Sequence, residues 1–130
     1  MDTANLFTGL SHIGLPTADV EKTVKFYEQF GFRIRWSQHS SPESHTVFME
    51  CGSCVMEIYY SETPAGVNGA VDHVAIDVSD IEAVYEYVTS LGYHSLEEAV
   101  TFLPFYEKGV RFFTILGPNH EKVEFSQRLC

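Results

Sequence analysis

The chain has 130 residues, of which 45% are hydrophobic and 14% aromatic, so it can bury the core of a single domain. It carries 8 Lys plus Arg against 18 Asp plus Glu, which gives a formal net charge of -10. This acidic balance excludes a general binder of nucleic acid or of an anionic membrane surface, because both partners require a positive footprint.

Membrane insertion and secretion are not expected either. No apolar run approaches the roughly 18 residues needed to span a bilayer, and residues 1–10 lack the pattern of a secretory signal. The three cysteines, Cys51, Cys54 and Cys130, are too sparse for a disulfide framework and fit a reducing compartment. We therefore expect a cytoplasmic protein, and we interpret the C-x-x-C spacing at 51–54 as part of a hairpin turn.

The first half of the chain predicts a strand, a helix and three further strands. The apolar run 12–16 is bounded by turn residues and predicts a strand. A helix follows with Asp19 in its first turn and ends at Gly31, where a left-handed residue is typical. Its core-facing stripe consists of Val20, Val24, Tyr27 and Phe30. The remaining strands are predicted at about 32–38, 46–51 and 54–60, with a tight turn at Gly52.

The second half repeats the first. Residues 11–32 align without a gap onto 72–93, which pairs His12 with His73, Asp19 with Asp80 and Gly31 with Gly92. Residues 48–60 then align onto 115–127, which pairs Glu57 with Glu124. The second copy has strands at about 73–77, 111–117 and 121–127, and a helix with the stripe Ile81, Val84 or Tyr85, Val88 and Leu91.

The repeat predicts an α+β fold made of two βαβββ modules that form a curved mixed sheet around a cleft. We expect one domain over 1–130, with modules at about 8–60 and 71–127 and a linker at 61–70 that is rich in small residues, Pro and Gly. The second copy carries an insertion, which we place at 97–110. The helices would cover the outer faces, and a ligand would occupy the concave inner face.

Four polar side chains occupy equivalent positions in the two copies, namely His12, Glu57, His73 and Glu124. Their sequence neighbours are apolar, and adjacent strand residues point to opposite faces, so the four point away from the helices and into the cleft. Taken singly, each is as well explained by a structural histidine or a solvated glutamate. The shared symmetry favours a divalent cation, which offsets the cost of desolvating two carboxylates and suits Ni²⁺, Co²⁺, Zn²⁺ or Mn²⁺.

The chain resembles the vicinal oxygen chelate superfamily, whose best-known member is glyoxalase I (lactoylglutathione lyase). Four segments carry the resemblance: HIGLPTADVEKTVKFYEQFGF, VMEIYY, DHVAIDVSDIEAVYEYVTSLGY and GPNHEKVEF. It implies the βαβββ duplication and a metal set of His12, Glu57, His73 and Glu124. The same scaffold serves isomerases, epimerases, dioxygenases and antibiotic-binding proteins, so the activity needs a separate argument.

The ligand set implied by the resemblance favours a glyoxalase I type of site, because Glu57 stands where methylmalonyl-CoA epimerases usually have Gln. In such a site the metal holds two adjacent oxygens of a thiol hemithioacetal of methylglyoxal and stabilises an enediolate as a proton moves α to a carbonyl. Glu124 is the first choice for the base and Glu57 the second. The alternatives are an epimerase or isomerase of another small oxygenated substrate, and a non-enzymatic protein that binds a small molecule such as an antibiotic.

The resemblance also implies further properties. The cation is expected to be Ni²⁺ or Co²⁺, and Zn²⁺ is an alternative. The protein is expected to be a homodimer, in which the four ligands of one metal ion come either from one chain or from both. Basic residues that contact the substrate are sought among Arg33, Arg35, Lys108 and Arg111. The segment 99–110 contains Phe105 and other aromatic residues. Three interpretations of it stay open: a flap over the cleft, a part of the core, or a dimer contact.

Overall fold

A computed structural model describes Leu6, residues 10–69 and residues 71–130. The chain divides between Pro64 and Ala65 into two compact units, a boundary that falls within the predicted linker. None of the helices in these ranges is long and apolar enough to cross a membrane.

The first unit follows the predicted order of a strand, a helix and three strands. Its elements are β1 (Ile13–Thr17), α1 (Val20–Glu28), β2 (Arg33–His39), a short 3-10 helix (Pro42–Ser44), β3 (His45–Cys51) and β4 (Cys54–Tyr60). The sheet order is β1-β4-β3-β2, in which β1 pairs in parallel with β4 and the other pairs are antiparallel. This mixed sheet confirms the predicted fold class for the first copy.

The second unit repeats this order. Its elements are β5 (His73–Asp77), α2 (Ile81–Ser90), β6 (Thr101–Leu103), β7 (Val110–Leu116) and β8 (Lys122–Arg128). The sheet order β5-β8-β7-β6 reproduces that of the first unit, again with one parallel pair, β5 with β8. The predicted βαβββ order includes a strand between α2 and β7, but its position could not be assigned from the sequence. This strand is β6, which has three residues and lies within the expected insertion.

Each helix begins one residue after the aspartate that the sequence placed in its first turn. Asp19 and Asp80 are N-cap residues and not members of the first turn. The Lys22 N–H donates to Asp19 Oδ1 at 3.0 Å, and the Ala83 N–H donates to Asp80 Oδ1 at 3.2 Å. An N-cap carboxylate satisfies an amide that lacks a partner within the helix, and it also stabilises the positive end of the helix dipole.

Each helix packs against the two central strands of its own sheet. In the first unit the core comprises Val20, Val24, Phe26, Tyr27, Phe32, Val47, Met49, Met56 and Ile58. In the second it comprises Ile81, Val88, Val110, Phe113, Ile115, Val123 and Phe125. The predicted stripes are therefore largely buried, except that Leu91 at the end of α2 is 38% exposed. The alternating pattern of burial leaves the opposite face of each sheet free for polar side chains.

The two copies differ in the register between their last two strands. Phe48 pairs with Glu57, and Thr114 pairs with Glu124, so Thr114 occupies the position of Phe48. The ungapped alignment of 48–60 onto 115–127 had placed Ile115 there. The chain between the two paired residues is one residue longer in the second hairpin, from Thr114 to Glu124, than in the first, from Phe48 to Glu57. The second turn includes His120 in the left-handed conformation, at φ 61.

Candidate metal-binding site

Each sheet carries one histidine–glutamate pair on the face away from its helix. Glu57 lies in β4 and Glu124 in β8, and both are partly exposed. The residues on either side of each glutamate are almost fully buried against the helix: Met56, Ile58, Val123 and Phe125. The strand geometry therefore directs both carboxylates to the open face, as the alternating sequence indicated.

In the first unit, His12 immediately precedes β1 and faces Glu57. The distance between His12 Nε2 and Glu57 Oε1 is 3.7 Å. The other ring nitrogen, Nδ1, lies 3.0 Å from Ser11 Oγ. Gly14, the register partner of Glu57, has no side chain, which leaves space beside the Glu57 carboxylate.

The second unit reproduces this geometry. His73 begins β5, and its Nε2 lies 3.7 Å from Glu124 Oε1. His73 Nδ1 donates to Asp72 Oδ2 at 3.0 Å, which leaves the lone pair on Nε2 and directs it toward Glu124. The Lys122 ammonium lies 3.2 Å from Asp72 Oδ1. Hydrogen bonds from His73 and Lys122 hold the pKa of Asp72 below its ordinary value, so this carboxylate stays ionised.

The two pairs have the chemistry and spacing of metal ligands. A separation of 3.7 Å is too long for a good hydrogen bond. It is close to the roughly 3–3.5 Å between two donors that each lie about 2.1 Å from one cation. Metal-binding histidines usually engage their second ring nitrogen as both rings do here. Within the described residues no group of three or more His, Cys, Asp or Glu side chains could hold a metal ion, so neither pair forms a metal site by itself.

Glu124 lies in a charged cavity of about 270 Å³. The cavity is lined by Asp72, His73, Leu96, Glu97, Phe112, Thr114, Lys122 and Glu124. The Thr114 N–H and the Ser95 hydroxyl donate to Glu97 Oε1 at 2.7 and 3.1 Å, which fixes this second carboxylate in place. Burial raises the pKa of Glu124, and the charge of Glu97 raises it further, whereas His73 lowers it.

Three polar residues of these surroundings were not singled out from the sequence. Ser11 and Asp72 directly precede the two histidines, and the presence of a polar residue at the same place in both copies was the available signal. Glu97 lies in the segment that has no counterpart in the first copy, so the repeat gives no indication of it.

The predicted arginines of the first unit lie on β2, the edge strand. The Nε atoms of Arg33 and Arg35 lie 3.5 and 4.0 Å from the Glu50 carboxylate. The register between β2 and β3 shifts between Ile34 and Trp36, so Arg35 occupies an irregularity of the strand. Bulges of this kind re-aim side chains, and Arg35 lines a cavity that includes His12, whereas Arg33 is not among the residues lining that cavity.

The other predicted substrate residues lie in the second unit, away from its histidine–glutamate pair. Phe105 and Lys108 lie in the exposed loop between β6 and β7. Arg111 lies on β7, where it alternates with the residues whose side chains share the face of Glu124. Its guanidinium contacts the Glu82 carboxylate of α2. It therefore points to the helix-covered face, so the structure does not bring it to His73 and Glu124.

The segment 99–110 forms an edge of the second sheet. Its strand β6 pairs with β7, and the Phe102 ring lies so close to Gly109 that a Cβ at that position would collide with it. The Arg128 guanidinium stacks 4.1 Å from the centre of the Tyr106 ring. Part of this segment therefore packs on its own unit, while the rings of Phe102, Phe105 and Tyr106 stay more than half exposed.

Comparisons with known proteins identify this duplicated fold. Residues 9–125 match the family model described as Glyoxalase/Bleomycin resistance protein/Dioxygenase superfamily. The chain belongs to this superfamily, whose members include glyoxalases, fosfomycin resistance enzymes and bleomycin-binding proteins and commonly use a divalent metal. Membership confirms the resemblance at the level of the superfamily.

Individual relatives support the fold along almost the whole chain. The protein is 30% identical over 127 residues to "Uncharacterized protein YwbC" of Bacillus subtilis (strain 168), a match that covers 92% of this chain and 97% of that protein. A glyoxalase family protein from Enterococcus faecalis has a TM-score of 0.74 at 22% identity, covering 93% and 98% of the two chains. The fosfomycin resistance protein FosX from Listeria monocytogenes has a TM-score of 0.72 at 18% identity, covering 94% of each chain.

Proposed function

We propose that this protein is a metal-dependent enzyme of the lyase or isomerase type, in which His12, Glu57, His73 and Glu124 bind one divalent cation. The observation that supports the proposal is the repetition of one geometry, a histidine Nε2 facing a glutamate oxygen at 3.7 Å in each unit. The proposal holds for either of two arrangements: the two histidine–glutamate pairs come from one chain, or they come from the two chains of a homodimer. A bound divalent cation supplies Lewis acidity, which stabilises negative charge on a substrate oxygen.

The proposed reaction moves a proton between adjacent carbons of a thiol hemithioacetal of methylglyoxal. Glu124 removes the proton from the carbon that carries the sulfur and returns it to the neighbouring carbonyl carbon. The hydroxyl proton of the first carbon passes to the oxygen of the second, so that the first becomes the thioester carbonyl and the second the alcohol. The product is the isomeric 2-hydroxyacyl thioester, with no atom or electron gained or lost. Glu124 is preferred to Glu57 as the base because its side chain is less exposed, 19% against 31%, which limits competition from water.

The surrounding side chains are proposed to hold this machinery in position. Asp72 keeps His73 in one tautomer and orientation, and the hydrogen bonds to Glu97 fix a carboxylate beside Glu124. Of the residues predicted to contact the substrate, Arg35 is retained because it lines the cavity beside His12. We further propose a cytoplasmic location and a preference for Ni²⁺ or Co²⁺ over Zn²⁺.

The test combines metal content with turnover. Protein purified without chelators is assayed on the hemithioacetal of methylglyoxal and glutathione, in deuterated water so that proton exchange at the reacting carbons is visible. We expect turnover that depends on the metal and falls by at least about 100-fold in Glu124→Gln, because a positioned base contributes roughly that factor. Glu86→Gln, an exposed position on α2, is the matched control and should leave turnover unchanged.

The remaining outcomes separate the alternatives. Bound metal without turnover of thiol adducts, but with proton exchange on another oxygenated substrate, would indicate an epimerase or a different isomerase. The aromatic cavity beside His12 favours binding without catalysis as the second candidate. Absence of bound metal together with tight binding of a small molecule would support that candidate and contradict the proposed enzyme.

A further inference from the structure

A cavity of about 300 Å³ in the first unit adjoins the His12–Glu57 pair. It is lined by Ser11, His12, Arg35, Trp36, Phe48 and Val55. This volume is at the lower end of the range for small-molecule sites, so it suits a single ring system better than a drug-sized ligand. The histidine at one end places any occupant next to the proposed metal site.

Aromatic rings form the wall of this cavity. Phe48 makes edge contacts with His12 at 5.5 Å and with Trp36 at 6.0 Å between ring centres. Trp36 and Phe48 are register partners on β2 and β3, so their side chains share the face that carries Glu57. Trp36 remains 52% exposed, which is unusual for a residue that normally buries its large apolar surface. A flat apolar group placed against this wall would bury it.

Arg35 adds a positive charge to the apolar wall. Its Nε lies 4.0 Å from Glu50 Oε2, at the limit of an ion pair, and its side chain is 59% exposed. Arg33 lies closer to the same carboxylate, at 3.5 Å, so Glu50 neutralises only one of the two arginines. In a chain with 8 Lys plus Arg against 18 Asp plus Glu, the second guanidinium is available to an anion.

The equivalent cavity of the second unit has a different character. Thr114 occupies the position of Phe48. The lining of this cavity includes the carboxylates of Asp72, Glu97 and Glu124 and the ammonium of Lys122, whereas the described residues that line the first cavity supply the Arg35 guanidinium and no carboxylate. The two halves therefore share the histidine–glutamate pair but differ in what surrounds it. The three carboxylates of the second cavity outnumber its one ammonium, so an anionic aromatic group is expected to favour the first unit.

We propose that the cavity formed by His12, Arg35, Trp36 and Phe48 is a binding site for a planar aromatic group that carries a carboxylate or similar anion. The ring packs against Trp36 and Phe48, and the anion is held by the Arg35 guanidinium. The inference goes beyond the proposed function, because it assigns to this cavity a ligand class that the hemithioacetal itself does not contain. Binding of the ring itself requires neither the cation nor turnover.

The indole N–H signal of Trp36 provides a direct readout, because Trp36 is the only tryptophan in the sequence. The ¹⁵N-labelled full chain, kept free of metal with a chelator, is titrated with benzoate, cyclohexanecarboxylate and benzyl alcohol. The account predicts that benzoate shifts the indole signal with saturation and binds at least about threefold tighter than either analogue, since only benzoate combines ring and charge.

Variants separate the contribution of charge from that of the ring. Arg35→Gln should weaken benzoate binding by about three- to tenfold and bring it to the level of benzyl alcohol. Arg33→Gln removes a charge from the same strand but no group from the cavity lining. Even with Glu50 then left to Arg35, it should weaken benzoate binding less than Arg35→Gln does. Phe48→Leu should weaken benzoate and benzyl alcohol alike, whereas Tyr87→Leu, an exposed aromatic on α2, should weaken neither.

Three outcomes would overturn the proposal: an indole signal that does not respond to benzoate, equal affinities for the three probes, or equal effects of Arg33→Gln and Arg35→Gln. Because metal is absent from the titration, these results leave the proposed reaction standing if metal content and turnover support it. Conversely, if the protein binds benzoate as predicted but binds neither metal nor hemithioacetal, only the proposed reaction is contradicted, and the aromatic site stands. If Phe48→Leu loses the dispersed spectrum of a folded protein, the two arginine variants still decide the result.

Discussion

The contact between His73 Nδ1 and Asp72 determines which ring nitrogen remains available for a ligand. A carboxylate accepts only from a protonated nitrogen, so Nε2 carries the lone pair and faces Glu124. The corresponding contact of His12 is with a neutral hydroxyl, that of Ser11, at the same distance of 3.0 Å. The two histidines are thus oriented alike, but the negative charge of Asp72 makes the His73 imidazole the stronger donor to a cation.

This difference predicts unequal effects of two conservative substitutions. Asp72→Asn should lower the affinity for Ni²⁺ by about tenfold or more, as is typical for loss of a carboxylate behind a metal-bound histidine. Ser11→Ala, the corresponding change in the other unit, should have a smaller effect. Titration against a competing chelator measures both affinities, and equal affinities for Asp72→Asn and the parent protein would contradict the assigned role.

Residues that obey the repeat were predictable, and residues outside it were not. The four candidate ligands follow from the alignment of the two copies and from alternation along a strand. Glu97 reaches its cavity through a segment that has no counterpart, and its position depends on a hydrogen bond from the Thr114 N–H that no local pattern indicates. Arg111 was expected to contact substrate, but strand alternation places it on the side of Glu82.

At the level of elements, turn and cap residues determined the boundaries better than composition did. Gly31 and Gly92 adopt the predicted left-handed conformation, at φ 86 and 97. Gly92 directly follows the C-cap of α2, whereas α1 already ends at Glu28, three residues before Gly31. The short strand β6 is part of the predicted βαβββ order, but it could not be located because three residues are too few to show alternation. The register shift at Arg35 escaped prediction, since a bulge depends on pairing with the neighbouring strand.

The N-cap of α2 gives a testable contribution to stability. Asp80→Ala removes the acceptor for the Ala83 N–H and the charge that opposes the helix dipole, so it should lower the free energy of unfolding by about 1 kcal/mol. Urea denaturation followed by circular dichroism measures the difference. Glu86→Ala, on an exposed position of the same helix, should stay within about 0.5 kcal/mol of the parent protein; similar losses in both variants would argue against the cap.

The hairpin formed by β2 and β3 carries a stacked pair of imidazoles. His39 and His45 are register partners, with ring centres 3.9 Å apart and an interplanar angle of 6°. Burial lowers the pKa of His45 below its ordinary value of 6.5, and the nearby charge of His39 lowers it further, against an opposing effect of Glu21. The folded chain therefore binds fewer protons than the unfolded chain in the pH range below that value.

The pair consequently predicts a stability that decreases as the pH falls. The contribution of His45 is fully present above its ordinary pKa of 6.5 and is lost as the pH falls through the lowered value. His45→Gln should reduce the loss of unfolding free energy between about pH 8 and about pH 5, and the exposed His94→Gln should not. Identical pH profiles for His45→Gln and the parent protein would refute this assignment.

At the level of the whole molecule, each copy of the duplicated unit contributes half of the ligands of the proposed metal site. Each unit has the same sheet order and presents one imidazole and one carboxylate from equivalent strands. Within the part of the chain that the structure describes, neither half places three potential ligands so that they could hold a metal ion. The sequence predicted these halves from periodicity and self-similarity. Their meeting at one ion stays a prediction because it depends on tertiary or quaternary assembly, which no local pattern specifies.

Metal stoichiometry distinguishes one shared site from two separate ones. The account predicts one divalent cation per chain, and it predicts that His12→Ala and His73→Ala each lose nearly all of it, whether the ligands come from one chain or two. Two independent half-sites would instead bind two cations per chain and lose only one in each variant. Elemental analysis of the dialysed proteins gives the ratios, with His94→Ala as the control that should keep full metal content.

The most direct test of the central claim is anomalous X-ray scattering from crystals grown with Ni²⁺ and measured at the nickel absorption edge. The account predicts one strong anomalous peak per chain, within about 2.0–2.2 Å of His12 Nε2, His73 Nε2 and oxygens of Glu57 and Glu124. Nickel at full occupancy elsewhere, with the two imidazoles directed toward different points and no anomalous density between them, would contradict it.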